Sequence, residues 1–182
     1  MKTKKINFWN LFVIIFIMGV VFSSCSEDEE NTSSLEGIWQ AFELNMIMHM
    51  YDGEVFDFKK EMQKDKEGKQ LLNELNQIIS SQKYSFDGNI MTFYDDMVVV
   101  EPKIHTYTLS GDKIIATDNA GWISVYRYKL RNNRLDLIMD DTTIKMSSST
   151  DKLSKMYSEY RSMMSAYNID KFEVIISFHK ID

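Results

Sequence analysis

Hydrophobic and polar residues alternate along residues 37–51, and this period of two is typical of a half-buried β-strand. One face of the predicted strand carries mostly large apolar side chains, and the other carries polar ones such as Glu43 and Asn45. Because a barrel or sandwich receives every second residue of a strand in its interior, the apolar face is expected to line that interior. The residues predicted to face inward are Phe42, Leu44, Met46 and Met48.

Three later segments predict β-hairpins, because each has two alternating runs joined by a turn sequence. The turns are centred on Asp87-Gly88-Asn89, Ser110-Gly111-Asp112 and Asn132-Asn133, whose residues suit tight turns. Residues 171–181 are rich in β-branched and aromatic residues and predict a closing strand. Strands at this short spacing favour an antiparallel barrel or a sandwich, and closing a barrel would remove exposed sheet edges.

Two segments have a helical period instead. In residues 55–82, the apolar positions between 71 and 79 recur on one helical face, although Gly68 weakens the prediction for the first half. Residues 150–167 carry a similar stripe, with Thr150 as the predicted N-cap. The predicted order is strand, helix, hairpins, helix and closing strand. The fold class is therefore mainly β, with two amphipathic helices added.

The first 24 residues depart from this alternation and have the layout of an export signal. Three lysines come first, residues 8–22 are nearly all apolar, and Ser23 and Ser24 precede Cys25, the single cysteine of the chain. A positive end, an apolar centre and a small-residue cleavage site are the three parts of a secretory signal. The alternative is an uncleaved membrane-spanning helix, which needs about 20 apolar residues and is longer than this run.

The predicted organisation has three parts: a signal peptide at 1–24, an acidic flexible tether at 25–34, and one domain at 35–182. The tether is expected to be flexible because it is polar and charged and has no apolar period. Without the signal, the chain has 18 basic and 27 acidic residues, which gives a net charge of −9. This acidity argues against nucleic acid as a partner. With one cysteine, no internal disulfide can form.

The segment from Phe22 to Cys25 resembles the lipobox of bacterial lipoproteins, in which the signal is cut before a cysteine that then carries fatty acyl chains such as palmitate. The acids at 27–30 are similar to the surface-export signal of Bacteroidota lipoproteins. The resemblance implies a lipid-anchored protein of the outer membrane that is exposed at the cell surface. Acylation contributes about 0.8 kcal/mol per buried CH₂, and stable anchoring takes more than one chain. The other interpretations of Cys25, a disulfide or a catalytic thiol, lack a partner and a fixed site respectively.

Gly37 and Trp39 form a Gly-x-Trp sequence at the start of the first predicted strand. It resembles the Gly-x-Trp of lipocalins, where the glycine permits a close approach and the tryptophan plugs the closed end of the barrel. The hairpin series is also similar to the lipocalin-like domains of Bacteroidota lipoproteins, over most of residues 35–182. The resemblance implies a small antiparallel barrel closed by Gly37 and Trp39. A typical lipocalin has one late helix, whereas two are predicted here.

These observations lead to a functional hypothesis: a membrane-anchored lipoprotein whose barrel binds a small apolar or amphipathic ligand against methionine and aromatic walls. The alternative is a non-enzymatic interaction subunit of a surface complex, with a filled barrel core and an outer-membrane protein as its partner. The sequence contains no Gly-x-Ser-x-Gly elbow, phosphate loop or dinucleotide fingerprint. The acid pairs Asp95-Asp96 and Asp140-Asp141 lie at predicted strand ends, where they are interpreted as turn residues. Neither an enzyme nor a cofactor is predicted.

Methionines alternate at 46, 48 and 50 around His49, and thioether sulfurs suit Cu(I) in an exported protein. The competing interpretation is an interior lined by methionine, which fills irregular gaps and adapts to varied ligands. The second interpretation is favoured because His49 would point to the opposite face of the strand. The three histidines have no zinc-binding spacing, so no metal site is predicted.

Overall fold

In the computed structural model, which describes residues 35–96, 101–147 and 151–181, eight antiparallel strands close into a β-barrel. The described residues form the strands β1 (Gly37–Met50), β2 (Val55–Asp57), β3 (Gln82–Asp87), β4 (Ile90–Asp95), β5 (Lys103–Ser110), β6 (Lys113–Asp118), β7 (Ile123–Arg131), β8 (Arg134–Asp140) and β9 (Ile169–Lys180). They also form the helices α1 (Phe58–Met62), α2 (Lys66–Ile79), α3 (Asp141–Ser147) and α4 (Asp151–Ala166). The mainly β fold class and the antiparallel barrel are confirmed.

Each strand from β3 to β9 pairs with its neighbour in the chain, and β9 returns to pair with β1 and close the barrel. The three predicted hairpins are β3–β4, β5–β6 and β7–β8. Their turns use left-handed backbone, with φ of 57° at Gly88, 59° at Gly111 and 51° at Asn132. Glycine and asparagine adopt this conformation at the lowest cost, which explains why the turn sequences located the hairpins correctly.

A β-bulge interrupts β1 and changes which of its residues face inward. Along β9, Ala41 pairs with Phe178 and Glu43 pairs with Ser177, so the extra residue Phe42 has no opposite partner on β9. The strand shifts its alternation by one residue at this point. The buried, inward residues are Trp39 and Ala41 before the bulge and Leu44, Met46 and Met48 after it.

The predicted interior position of Phe42 is therefore wrong, whereas Leu44, Met46 and Met48 do face inward. The Phe42 ring lies on the outer surface, where its centroid is 5.5 Å from the exposed His179 ring. The guanidinium carbon of Arg134 lies 5.4 Å from the Phe42 centroid. Such a stacked cation stabilises an aromatic ring that remains near water.

Helix α2 fills the gap that opens where β1 leaves β3. These two strands pair only over residues 37–40, after which β1 continues and pairs with the short β2 instead. The apolar stripe of α2 covers the gap with Leu72, Leu75 and Ile79, all buried. The Asn76 side chain accepts a 3.1 Å hydrogen bond from the backbone N–H of Leu44, which lies beyond the part of β1 that pairs with β3. The first half of the predicted 55–82 helix is instead β2, α1 and a turn.

Position 68, in the first turn of α2, is a glycine because α1 passes too close to leave room for a side chain. The Asp65 carboxylate caps this helix by accepting a 2.7 Å hydrogen bond from the Gly68 N–H. A Cβ at position 68 would lie 2.9 Å from the Met62 Cα and nearer still to the Met62 carbonyl oxygen. The glycine thus marks a close helix–helix approach and does not interrupt the helix.

We expect Gly68→Ala to lower the free energy of unfolding by about 1–3 kcal/mol, because α1 must move to relieve the clash. Alanine is a better helix former than glycine by about 1 kcal/mol, so a position without the clash would show the opposite sign. Urea denaturation of Gly68→Ala beside Asn73→Ala, an exposed site on the same helix, makes the comparison. Stabilisation by Gly68→Ala would contradict this account of the glycine.

Two helices precede β9. The helix predicted at 150–167 is confirmed as α4, whose Tyr160 ring packs 5.4 Å from the ring of Phe172 on β9. Its predicted N-cap, Thr150, lies outside the described residues. Helix α3 was not predicted, because Asp140 and Asp141 were interpreted as turn residues. It packs on the outside of β7, where Ser147 Oγ accepts a 3.1 Å hydrogen bond from the Val125 N–H. Among the residues described, no helix combines the length and the apolar character that crossing a bilayer requires.

Candidate ligand-binding cavity

One end of the barrel is filled by its own side chains. Trp39 is buried there, and its indole Nε1–H donates a 2.8 Å hydrogen bond to the Leu35 carbonyl oxygen. Gly37 has a φ of 115°, which favours glycine at the start of β1. The buried layer around Trp39 includes Phe86, Leu135 and Phe178. The Gly-x-Trp motif therefore lies at a closed end of the barrel.

Two tyrosines lie between this filled end and an open space above it. Tyr84 projects from β3 and Tyr126 from β7, which are opposite walls of the barrel, and their side chains meet in the interior. The Tyr84 ring also packs against Phe178 at 5.4 Å and Phe93 at 5.1 Å. Burial raises the pKa of Tyr84 well above its ordinary value, and the Tyr126 hydroxyl raises it further. Burial also raises the pKa of Tyr126, so both phenols stay neutral.

Above the two tyrosines, the barrel encloses a cavity of about 790 Å³. Its walls come from alternate residues on β1, β4, β8 and β9, and they are almost entirely apolar. Helix α2 contributes a further part of the wall through Leu75, Ile78 and Ile79. The strand residues of the wall are Leu44, Met46, Met91, Phe93, Leu137, Met139, Val174 and Ile176.

The mouth of the cavity is polar. Asp95 ends β4 and accepts a 2.8 Å hydrogen bond from the Ser81 hydroxyl, while residues 101–105 and 118–122 contribute the other side. The Asp118 carboxylate holds the turn after β6, because its Oδ1 accepts 2.8 Å hydrogen bonds from the N–H groups of Ala120 and Trp122. This turn places the half-buried Trp122 side chain at the mouth.

His105 lies on the mouth wall, opposite Asp118 in the β5–β6 ladder. Burial lowers the pKa of His105, an effect that the Asp118 carboxylate only partly opposes. Its Nδ1 atom is buried and has no hydrogen-bond partner among the described residues. The imidazole is therefore neutral at pH 7 and adds no positive charge to the mouth.

Tyr107, whose ring packs 5.3 Å from Phe86, is buried at the filled end with a hydroxyl that has no hydrogen-bond partner among the described residues. Because a buried polar group without a partner costs free energy, we expect Tyr107→Phe to raise the free energy of unfolding by about 1 kcal/mol. The exposed Tyr94→Phe provides the control, with little expected change.

Tyr107 also predicts a pH dependence, since burial raises its pKa to about 12. Because the phenol ionises more readily in the unfolded chain than in the folded one, its ionisation costs no stability below about pH 10 and lowers the free energy of unfolding as the pH rises toward 12. Tyr107→Phe should therefore lose less stability than the parent protein between about pH 9 and pH 12. Identical losses measured by urea denaturation would contradict this assignment.

The structure brings only some of the site residues predicted from the sequence together at the cavity. Leu44 and Met46 line the cavity, and Met48 is buried on the same face, paired with Phe172 outside the cavity lining. His49 points to the opposite face from Met46 and Met48, so the methionines and the histidine do not converge. Cys25 and the rest of the signal and tether lie outside the described residues.

Sequence analysis missed the part of the site contributed by α2 and the mouth. The period of two in the hairpin sequences could have identified the cavity-lining residues on the strands, because Tyr84, Met91 and Tyr126 occupy inward positions of their strands. The contribution of Ile78 had no such signal, since the helical stripe shows which face is apolar but not what it covers.

No protein-family model matches this chain, and neither a curated protein nor a solved structure matches it. Its function must therefore be inferred from the barrel, the cavity and the N-terminal sequence.

Proposed function

We propose that this protein binds a small apolar or amphipathic ligand inside its barrel. The observation that carries the proposal is the cavity of about 790 Å³ with methionine, aromatic and aliphatic walls. Ligand pockets in proteins usually measure about 300–1,000 Å³ and combine apolar walls with a few polar groups. Burying apolar ligand surface contributes about 25 cal/mol per Å², and the flexible methionines adapt to the shape of the ligand.

The alternative, an interaction subunit with a filled barrel, has less support. It requires an interior occupied by the chain's own side chains, whereas here only the end around Trp39 is filled. Met139 and Ile176, which project into the cavity, are only partly buried. An apolar surface that is enclosed but not filled favours a ligand that completes the packing.

Binding is tested by titrating a lipophilic fluorescent probe into the protein without its signal peptide and acyl chains. We expect saturable binding, and Met139→Trp should weaken it at least ten-fold because the indole occupies cavity space. Met146→Trp is the matched control, since Met146 is exposed on α3, away from the cavity lining. A probe that fails to saturate the folded parent protein would refute the proposal.

The second part of the proposal concerns the cellular location of the protein. We infer that the signal is cut before Cys25, and that acyl chains on this residue hold the protein at the outer membrane with residues 26–34 as a tether to the barrel. The supporting observations are the lipobox-like segment and the acidic stretch that follows it.

Cys25→Ala should release the protein from the membrane fraction and abolish its labelling by a clickable palmitate analogue, because no thiol remains to be acylated. Ser26→Ala, one residue beyond the cleavage site, is expected to change neither result. If the Cys25→Ala protein remains in the membrane fraction, the anchoring proposal is wrong.

A further inference from the structure

The charges around the cavity are unevenly distributed. Among the described residues that line it, Lys103 is the only lysine or arginine, whereas Asp95, Glu101 and Asp118 are all acidic. These four side chains lie at the mouth, and the neutral His105 does not offset the acids. The mouth therefore has a negative field, which the overall charge of −6 reinforces.

The inner end of the cavity, beside Tyr84 and Tyr126, is no more favourable to an anion than the mouth is. Its polar groups are the hydroxyls of Tyr84, Tyr126 and Ser124, which are uncharged, and the surrounding walls are apolar. A carboxylate placed there would lose its water without gaining a cationic partner, and a buried charge without such a partner is strongly disfavoured. A neutral hydroxyl or amide could instead exchange hydrogen bonds with these phenols.

We propose that the cavity selects an amphiphile whose head group is uncharged or cationic, held at the mouth beside Asp95, Glu101 and Asp118, and that it excludes fatty-acid anions. This inference depends on the proposed ligand binding, and it names the chemical class of the ligand. The hydrocarbon chain of the ligand occupies the methionine-lined interior, and its head group donates hydrogen bonds to the mouth carboxylates. A carboxylate head group would meet like charges in the same place.

The test compares three single-chain compounds of equal length in displacement of the fluorescent probe at neutral pH: dodecylamine, dodecanol and dodecanoate. We expect dodecanoate to bind at least about ten-fold more weakly than dodecanol, with dodecylamine the tightest at low salt. Dodecanoate binding as tightly as dodecanol, or more tightly, would overturn this inference and leave the proposed binding function intact. No binding of the probe or of any of the three would overturn both.

Two double variants separate a local effect of the mouth from an effect of net charge. Asp95→Asn with Glu101→Gln neutralises two mouth acids, and the asparagine keeps an oxygen for the Ser81 hydroxyl. Asp87→Asn with Glu36→Gln makes the same chemical changes at exposed positions flanking the closed end. Asp118 is left unchanged because it holds its turn.

The mouth variant should bind dodecanoate several-fold more tightly and dodecylamine more weakly, with dodecanol unchanged. The control variant should keep the order and spacing of the parent protein. Equal shifts in both double variants would assign the selectivity to net charge and would overturn the role of the mouth.

Discussion

Trp39→Ala is expected to lower the free energy of unfolding by about 3–5 kcal/mol. The side chain is only 1% exposed and belongs to the layer that fills the closed end of the barrel. Removing it creates a large void, since the neighbouring strands pair on both sides of β1 and cannot collapse into the space. The change also leaves the buried Leu35 carbonyl oxygen without the indole donor. Equilibrium urea denaturation gives the measurement.

Two further variants divide this effect into its parts. Trp39→Phe keeps most of the apolar volume and removes the hydrogen bond, so we expect a loss of about 1–3 kcal/mol. Trp122→Ala makes the same truncation at the mouth, where the side chain is half-buried, and should cost clearly less. If Trp39→Ala costs no more than Trp122→Ala, Trp39 does not have the structural role assigned here.

Asp140→Ala should have the second large effect, about 3–5 kcal/mol, because one buried carboxylate has two structural roles. Its Oδ1 accepts 2.9 Å hydrogen bonds from the N–H groups of Thr142 and Thr143 and so caps α3. Its Oδ2 accepts a 2.6 Å hydrogen bond from Arg127 Nε. Arg127 also pairs with Glu173 at 2.9 Å, and the two carboxylates outweigh burial and raise the pKa of Arg127.

Asp140→Asn separates the two roles, because the amide oxygen can still cap α3 but the ion pair is lost. We expect it to cost roughly half as much as Asp140→Ala in the same urea experiment. Glu61→Ala, which removes the exposed Glu61–Lys64 pair, is the control and should cost about 0–1 kcal/mol. Equal losses for the Asn and Ala variants would show that the helix cap contributes nothing measurable.

Local patterns along the chain predicted much of the fold. The hairpin turns at Gly88, Gly111 and Asn132 were located correctly because left-handed backbone has few acceptable residues. The strand and helix periods were also correct over most of their lengths. The cap by Asp140 was missed, because an acidic residue before a short segment is as typical of a turn as of a helix start.

Other features depend on contacts between residues far apart in the chain. Phe42 lies on the outer surface because β9 pairs with β1 in a register that skips one residue. The only local sign is polar Gln40 on the predicted apolar face, which interrupts the alternation but does not locate the bulge. The low helix propensity of glycine counted against a helix through Gly68. The structure shows that glycine is needed there because the Met62 backbone lies too close for a side chain. Intrinsic preference cannot reveal a close approach between two segments.

By itself, the sequence determined that the chain is mainly β, where its hairpins turn, and which two segments form long helices, because these properties depend on the backbone preferences and periods of neighbouring residues. Only the tertiary structure decided that β1 and β9 close the barrel, that α2 replaces part of its wall, and that part of its interior stays open above Tyr84 and Tyr126. The physical reason is that a cavity is the space left between side chains from many strands. Its volume and charge depend on the register of every pairing at once.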